Sequence, residues 1–201
     1  MTRLSVGDVV MAPAAGGSAS HVTCFDDIVV KAPLACTIEE ASAIPSVFWT
    51  AYYGLDKLAG LKRGERVLIH AAAGGVGLAA VQIARHLGAE VFATASPGKW
   101  DYLRSIGVNH VMNSRTLDFA DEVLAATDGA GVDVVLNSIA GAAVEKSFAA
   151  LKSGGRFVEI GKIGIWSAQE ALERRPDAAY HTFDLGEIMP RDPIMLSLIH
   201  I

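Results

Sequence analysis

The chain has 201 residues, 51% of them hydrophobic and 19% charged, which suits a globular protein with a real core and allows one full domain plus part of another. Its net charge of -5 gives no basic footprint for nucleic acid, and no apolar run reaches the length of a membrane span. Residues 1–8 lack the long apolar stretch of a signal peptide, and two cysteines, Cys24 and Cys36, are too few for a disulfide framework or a four-ligand zinc site. They fit small packing residues in a reducing cytoplasm.

Residues 1–45 are β-like in texture. "GDVVMAP" and "SASHVTCFDDIVVKAP" are strand-sized runs cut by Gly and Pro. A β-rich lobe of this size is too small to close a barrel or stand alone. Thr37-Ile-Glu-Glu40 is a capping-box pattern and predicts a helix start. From Gly60 the texture changes. "RVLIHA", "EVFATA", "HVMNS", "VDVVLNS" and "RFVEIG" read as five buried strands separated by four helical segments. That alternation is the pattern of a parallel α/β sheet, and residues 46–195 are read as one such domain. In its first helix Val76, Ala79, Ala80, Ile83, Ala84 and Leu87 share one face, and Gly88 stops it. "LSLIHI", residues 196–201, follows a polar, Pro-containing stretch and matches a translated sequencing adapter. It is set aside from fold reasoning.

Ala72-Ala-Gly74-Gly-Val-Gly77 has the spacing G-x-G-x-x-G with Ala in place of the first Gly. It follows a strand and opens a helix, the context this motif needs. Gly74 lets backbone approach a pyrophosphate, and Gly77 lets helix and strand pack closely. Exposed N–H groups and the positive end of the helix dipole favour a phosphate there. The motif with its alternating strands predicts a dinucleotide site. A nucleoside-triphosphate loop is excluded, because Ile163 rather than Ser or Thr follows Gly161-Lys162 and Arg156 stands where a Gly is required. NAD sites usually place an acidic residue about 20 residues beyond the turn. No carboxylate occurs between Val91 and Trp100, where Ser96 and Lys99 stand instead. A hydroxyl and a cation suit a 2′-phosphate, so NADPH is the expected cofactor.

Other residues invite blander readings. Tyr53 and Lys57 have the Y-x-x-x-K spacing of short-chain reductases, but they lie upstream of the glycine turn and are read as coincidence. His70 is expected to be packed or capped. Trp49, Trp100 and Trp166 are expected in packing. No Cys/His cluster has zinc-ligand spacing.

"VLIHAAAGGVGLAAVQIARHLGAEVFATA" closely resembles the zinc-independent medium-chain dehydrogenase/reductases. "GKWDYLRSIGVNHVMNSRTLDF", "GVDVVLNSIAG", "LKSGGRFVEIGK" and "AYHTFDL" narrow the resemblance to the enoyl reductase domain of type I polyketide synthases, with animal-type fatty acid synthases close behind. The resemblance runs from about Leu4 to Pro190. It implies a Rossmann doubly wound parallel sheet with a truncated β-rich (GroES-like) catalytic lobe at the N-terminus, and hence a fragment of a longer protein. It implies NADPH-dependent reduction of an α,β-unsaturated acyl thioester on an acyl carrier protein. Neighbouring synthase domains in the same polypeptide and a homodimer of the parent would follow. Ala73, Gly74, Gly75, Val76 and Gly77 would take the pyrophosphate, and Ser96, Lys99 and Arg115 the 2′-phosphate. Thr50, Asn137, Ser138 and Gly161 would approach the nicotinamide half. Lys162 and Asp184 would be the proton donors. The family often has an acidic residue two places after this lysine, where Gly164 stands here.

Three rivals stand beside this reading. A stand-alone quinone or enone reductase would share the glycine turn, but "VLNSIAG" and "FVEIGK" favour the synthase type. A non-catalytic NADPH-binding protein would have no use for proton donors. A methyltransferase would want an acidic residue ending the second strand of the sheet, and none is there.

Overall fold

The computed structural model describes residues 4–14, 16–17 and 19–188. The chain divides into two units, Met1–Trp49 with Asp184–Ile201, and Thr50–Phe183. The adapter-like residues 196–201 lie outside the described residues.

In the first unit the strand-sized runs shrink. β1 (Val10–Met11) and β2 (Val30–Lys31) pair antiparallel over two residues each. Residues 19–25 form no ladder, and Asp26–Ile28 makes a single 3-10 turn. The expectation of longer strands is corrected, and the reason is a lack of cover. Val6, Val9, Val10, Val22, Phe25 and Leu34 are all exposed, and a two-stranded ribbon without a buried face has little to hold it. The capping box forms as its sequence predicts. Thr37 N–H donates to Glu40 Oε2 at 2.8 Å and Glu40 N–H to Thr37 Oγ1 at 3.2 Å. They open α1 (Ile38–Tyr52), which tolerates Pro45 and runs on into a π turn, Tyr53–Leu58. Gly54 in that turn allows close packing: a Cβ there would sit 3.2 Å from Val158 Cγ1 and 3.4 Å from Leu136 Cδ1.

The second unit is the alternating part. β3 (Arg66–Ile69), β4 (Glu90–Ala95), β5 (His110–Asn113), β6 (Val132–Asn137), β7 (Leu151–Glu159) and β8 (Ala179–Thr182) form one six-stranded sheet in the order β5-β4-β3-β6-β7-β8. Every neighbouring pair is parallel. The connecting helices are α2 (Gly75–His86), α3 (Trp100–Ser105), α4 (Phe119–Ala126), α5 (Ala142–Ala149) and α6 (Ala168–Arg174). All five expected strands are present. The sixth, "AYHT", escapes a pattern reading because it is a four-residue edge strand with no buried residue. β7 starts at Leu151 rather than Arg156, through an irregular pairing with β6.

Leu68, Phe92, Met112, Phe119, Phe148 and Phe157 form the heart of one core cluster. Phe148 stacks on Phe157 at 4.1 Å and on Trp166 at 4.6 Å. The buried stripe of α2 is Gly77, Ala80, Val81 and Ala84 with Ala79. Val76, Ile83 and Leu87, expected on the core face, are only half-buried. The stripe is rotated because Gly77 lets that side of the helix lie flat on the turn before it. β3 pairs with β4 on one side and β6 on the other, so chain order reverses there. The crevice beyond the carboxyl ends of β3 and β6 is the topological switch point, where ligands of such sheets bind.

Candidate functional site

β3 ends at Ile69, two residues earlier than "RVLIHA" suggests, because Ala71 turns into the left-handed region with φ 48. Gly74 N–H donates to Ala71 O at 2.8 Å and closes the turn. Gly74 is the extended residue before α2, and no side chain caps the helix there. The N–H groups of Gly75, Val76 and Gly77 therefore point out of the first turn without intrahelical acceptors. No acidic side chain competes in that turn. A Cβ at Gly77 would lie 2.4 Å from Ala71 O and 2.6 Å from Ala72 Cα, so glycine is what allows α2 to start against the strand. Ala73 is half-buried within the turn. The result is a bare, dipole-positive cradle at the switch point.

Beside it lies the end of β4. Ala72 N–H donates to Thr94 O at 2.9 Å, which ties the glycine turn to β4. Ser96 follows, half-buried, and opens a 3-10 turn (Pro97–Lys99) that presents Lys99 to solvent. Ser114 N–H donates to Ala95 O at 3.0 Å, and Arg115 N–H to Asn113 Oδ1 at 3.0 Å. The end of β5 is thereby held beside Ser96, and Arg115 is exposed. Trp100, Nε1 bonded to Ala95 O at 3.0 Å, anchors this corner. Ser96, Lys99 and Arg115 thus border one edge, which carries two cations.

On the other side of the switch point, Asn137 ends β6 and Ser138 follows it. The Asn137 side chain faces inward, with Nδ2 bonded to Ile139 O at 2.7 Å and Glu159 Oε2 at 2.6 Å. Ser138 is exposed, and its Oγ donates to His70 O at 3.5 Å. Gly161 N–H donates to Glu159 Oε1 at 2.6 Å. Lys162 follows, exposed, with Nζ donating to Phe183 O at 3.0 Å. Thr50 is half-buried in the last turns of α1. Asp184 belongs to the other unit. It accepts at Oδ1 from Gly186 N–H at 2.8 Å, at the start of α7 (Leu185–Ile188).

A model of the zinc-binding dehydrogenase family matches residues 75–183. The chain belongs to that family. Within it, the chain groups with the enoyl reductase domains of polyketide synthases, and it spans about half the length of the CurK, CurF and JamJ enoyl reductases it matches. It is similar to the CurK enoyl reductase, with a TM-score of 0.84 and 55% identity, covering 86% of this chain and 52% of that one. It is similar to the nucleotide-binding subdomain of the enoylreductase domain of PpsC from Mycobacterium tuberculosis, with a TM-score of 0.69 and 42% identity over 76% of this chain and 87% of that one. It is 49% identical over 192 residues to the phenolphthiocerol synthesis polyketide synthase type I Pks15/1 of Mycobacterium bovis, covering 94% of this chain but only 9% of that synthase.

The family's zinc finds no ligand set here: among the described residues no group of three His, Cys, Asp or Glu could hold a metal ion. Nor is any helix among the described residues long and apolar enough to cross a membrane. His70 is packed as expected, while the buried cluster around Glu159 went unread in the sequence. His70 bridges Thr94 Oγ1 at 2.9 Å and Ser147 Oγ at 2.8 Å, edge-on to the Phe119 ring. Glu159 holds Asn137 and Gly161. The signal for Glu159 was a carboxylate inside the apolar run "FVEI", a residue type rarely buried unless it is bonded. Tyr53 packs edge-on against Phe183 at 5.0 Å, while Lys57 pairs with Asp56 at 3.1 Å.

Proposed function

We propose that this chain carries the NADPH site of an enoyl reductase that reduces an α,β-unsaturated acyl thioester on an acyl carrier protein. The uncapped glycine turn carries the reading, together with Ser96, Lys99 and Arg115 after β4 and β5 and the absence of a carboxylate between Val91 and Trp100. The N–H groups of Gly75 to Gly77 hold the pyrophosphate through charge-assisted hydrogen bonds. Ser96, Lys99 and Arg115 take the 2′-phosphate. Ser138, Gly161 and Thr50 border the nicotinamide half. When bound, NADPH supplies the hydride that reaches the β-carbon.

The chain's own residues supply charge and proton. Negative charge builds on the thioester oxygen during the transfer, so a nearby ammonium stabilises it and can give the α-carbon its proton. Lys162, which follows the carboxyl end of β7, is the first proposed donor, and Asp184 is the second. Partners of the parent enzyme follow from the same reading: the acyl carrier protein, the adjoining synthase domains and a second copy of the parent.

The test is cofactor titration by fluorescence. NADPH should bind more tightly than NADH. Lys99→Glu should weaken NADPH by roughly two- to fivefold, the scale of an exposed charge contact, and leave NADH unchanged. Equal affinity of the unaltered chain for both cofactors would remove Ser96 and Lys99 from the site.

A further inference from the structure

Asn137 and Glu159 are register partners at the carboxyl ends of β6 and β7. Asn137 is 0% exposed and Glu159 1%. The two carboxylate oxygens serve different loops. Oε2 accepts from Asn137 Nδ2 at 2.6 Å, and Asn137 in turn holds Ile139 O at 2.7 Å. Oε1 accepts from Gly161 N–H at 2.6 Å. A Cβ on Gly161 would stand 2.7 Å from that oxygen, so a glycine there is what lets the backbone reach the acid. Farther out the loops run together again, with Gly141 N–H donating to Gly164 O at 3.4 Å.

A buried acid at this place is costly unless its acceptors are needed. Burial pushes the Glu159 pKa up, while Asn137, Gly161 and the charge of Lys162 pull it back. Here two donors on two loops each need an oxygen, and only a carboxylate offers two acceptors in that span.

We propose that Glu159 is a positioning residue whose carboxylate couples residues 138–141, after β6, to residues 160–164, after β7, and so fixes the floor of the cofactor site. Asn137 serves that coupling through its side chain rather than touching the cofactor. The role of the floor rests on the NADPH reading above; the coupling itself does not.

Amide hydrogen exchange on the full 201-residue chain tests it, beside NADPH titration. Glu159→Gln keeps the volume but offers one acceptor to two donors. Exchange should quicken in both loops by roughly tenfold or more, the scale of losing a bond to a charged group. Val132–Leu136 and Phe157–Val158 should keep their rates, which shows that the sheet is intact. Asn137→Ala should quicken the loop around Gly161 as well as its own. Both variants should bind NADPH more weakly. Parent rates in both loops of Glu159→Gln, or an effect of Asn137→Ala confined to its own loop, would overturn the coupling. Faster loops with unchanged NADPH affinity would overturn the positioning role. An unaltered chain that binds no NADPH would defeat the cofactor reading alone, while exchange still judges the coupling.

Discussion

At the scale of single residues, Gly77 and His70 are constrained most tightly around the glycine turn. Gly77→Ala would drive a methyl group into the backbone of Ala71 and Ala72. We expect a loss of about 1–3 kcal/mol in stability, the usual cost of overpacking, together with loss of NADPH binding. Unchanged unfolding and binding would show that the turn has room it does not display. His70 is fixed by its partners. Ser147 Oγ donates to Ala143 O at 2.6 Å, so it accepts from His70 Nε2–H, and Nδ1 accepts from Thr94. Complete burial lowers the His70 pKa from 6.5 to about 3. Between those values the unfolded chain binds a proton that the folded chain refuses, so stability falls as pH drops. The slope from this residue is up to about 1.4 kcal/mol per pH unit. Denaturant unfolding across that range should show His70→Gln with a shallower slope than the unaltered chain; identical slopes would place the proton elsewhere. Lys162 and Asp184 are tested in an intact parent enzyme. Lys162→Ala with Asp184→Asn should cut turnover by about 100- to 10,000-fold, the range of general acid catalysis, with NADPH affinity nearly intact. Turnover at the parent rate would assign the acid to another group.

At the scale of elements, the strands of the sheet were legible because each of the five expected ones carries a short β-branched or aromatic apolar run, VLI, VFA, VM, VVL or FV, that the structure buries. The glycine turn was legible because its spacing is tied to one geometry. The capping box at Thr37 was legible because both of its bonds are local. β8 was not, since an edge strand needs no apolar period and gets its place from β7 through non-local bonds. The runs before Thr37 misled for the opposite reason. They have strand composition, but in this chain only two residues of each find a partner, and composition does not provide a partner. In the candidate site, the backbone cradle and the charged edge could be read from spacing. The Glu159 brace could not, because it joins residues 22 apart across a strand pairing.

At the scale of the molecule, the residues assigned to the cofactor all fall in Thr50–Phe183, and Asp184 falls outside it. That unit holds the whole six-stranded sheet and the core cluster around Phe92, Phe148 and Phe157. It needs none of residues 4–49 for its strand pairing. The described residues before α1 have the opposite character, with Val6, Phe25 and Leu34 exposed and a ladder of two residue pairs. Segments with so few protecting contacts open locally at little cost, and proteases cut there first. Limited proteolysis of the chain should therefore cut within residues 4–37 and leave a resistant core containing residues 50–183. Expressed alone, residues 50–183 should keep cooperative unfolding and the NADPH affinity of the longer chain. They should be unable to reduce an enoyl thioester wherever Asp184 is required as acid. Initial cuts inside α2 or β6, or loss of NADPH binding from the shortened chain, would show that the cofactor half depends on the segments around it.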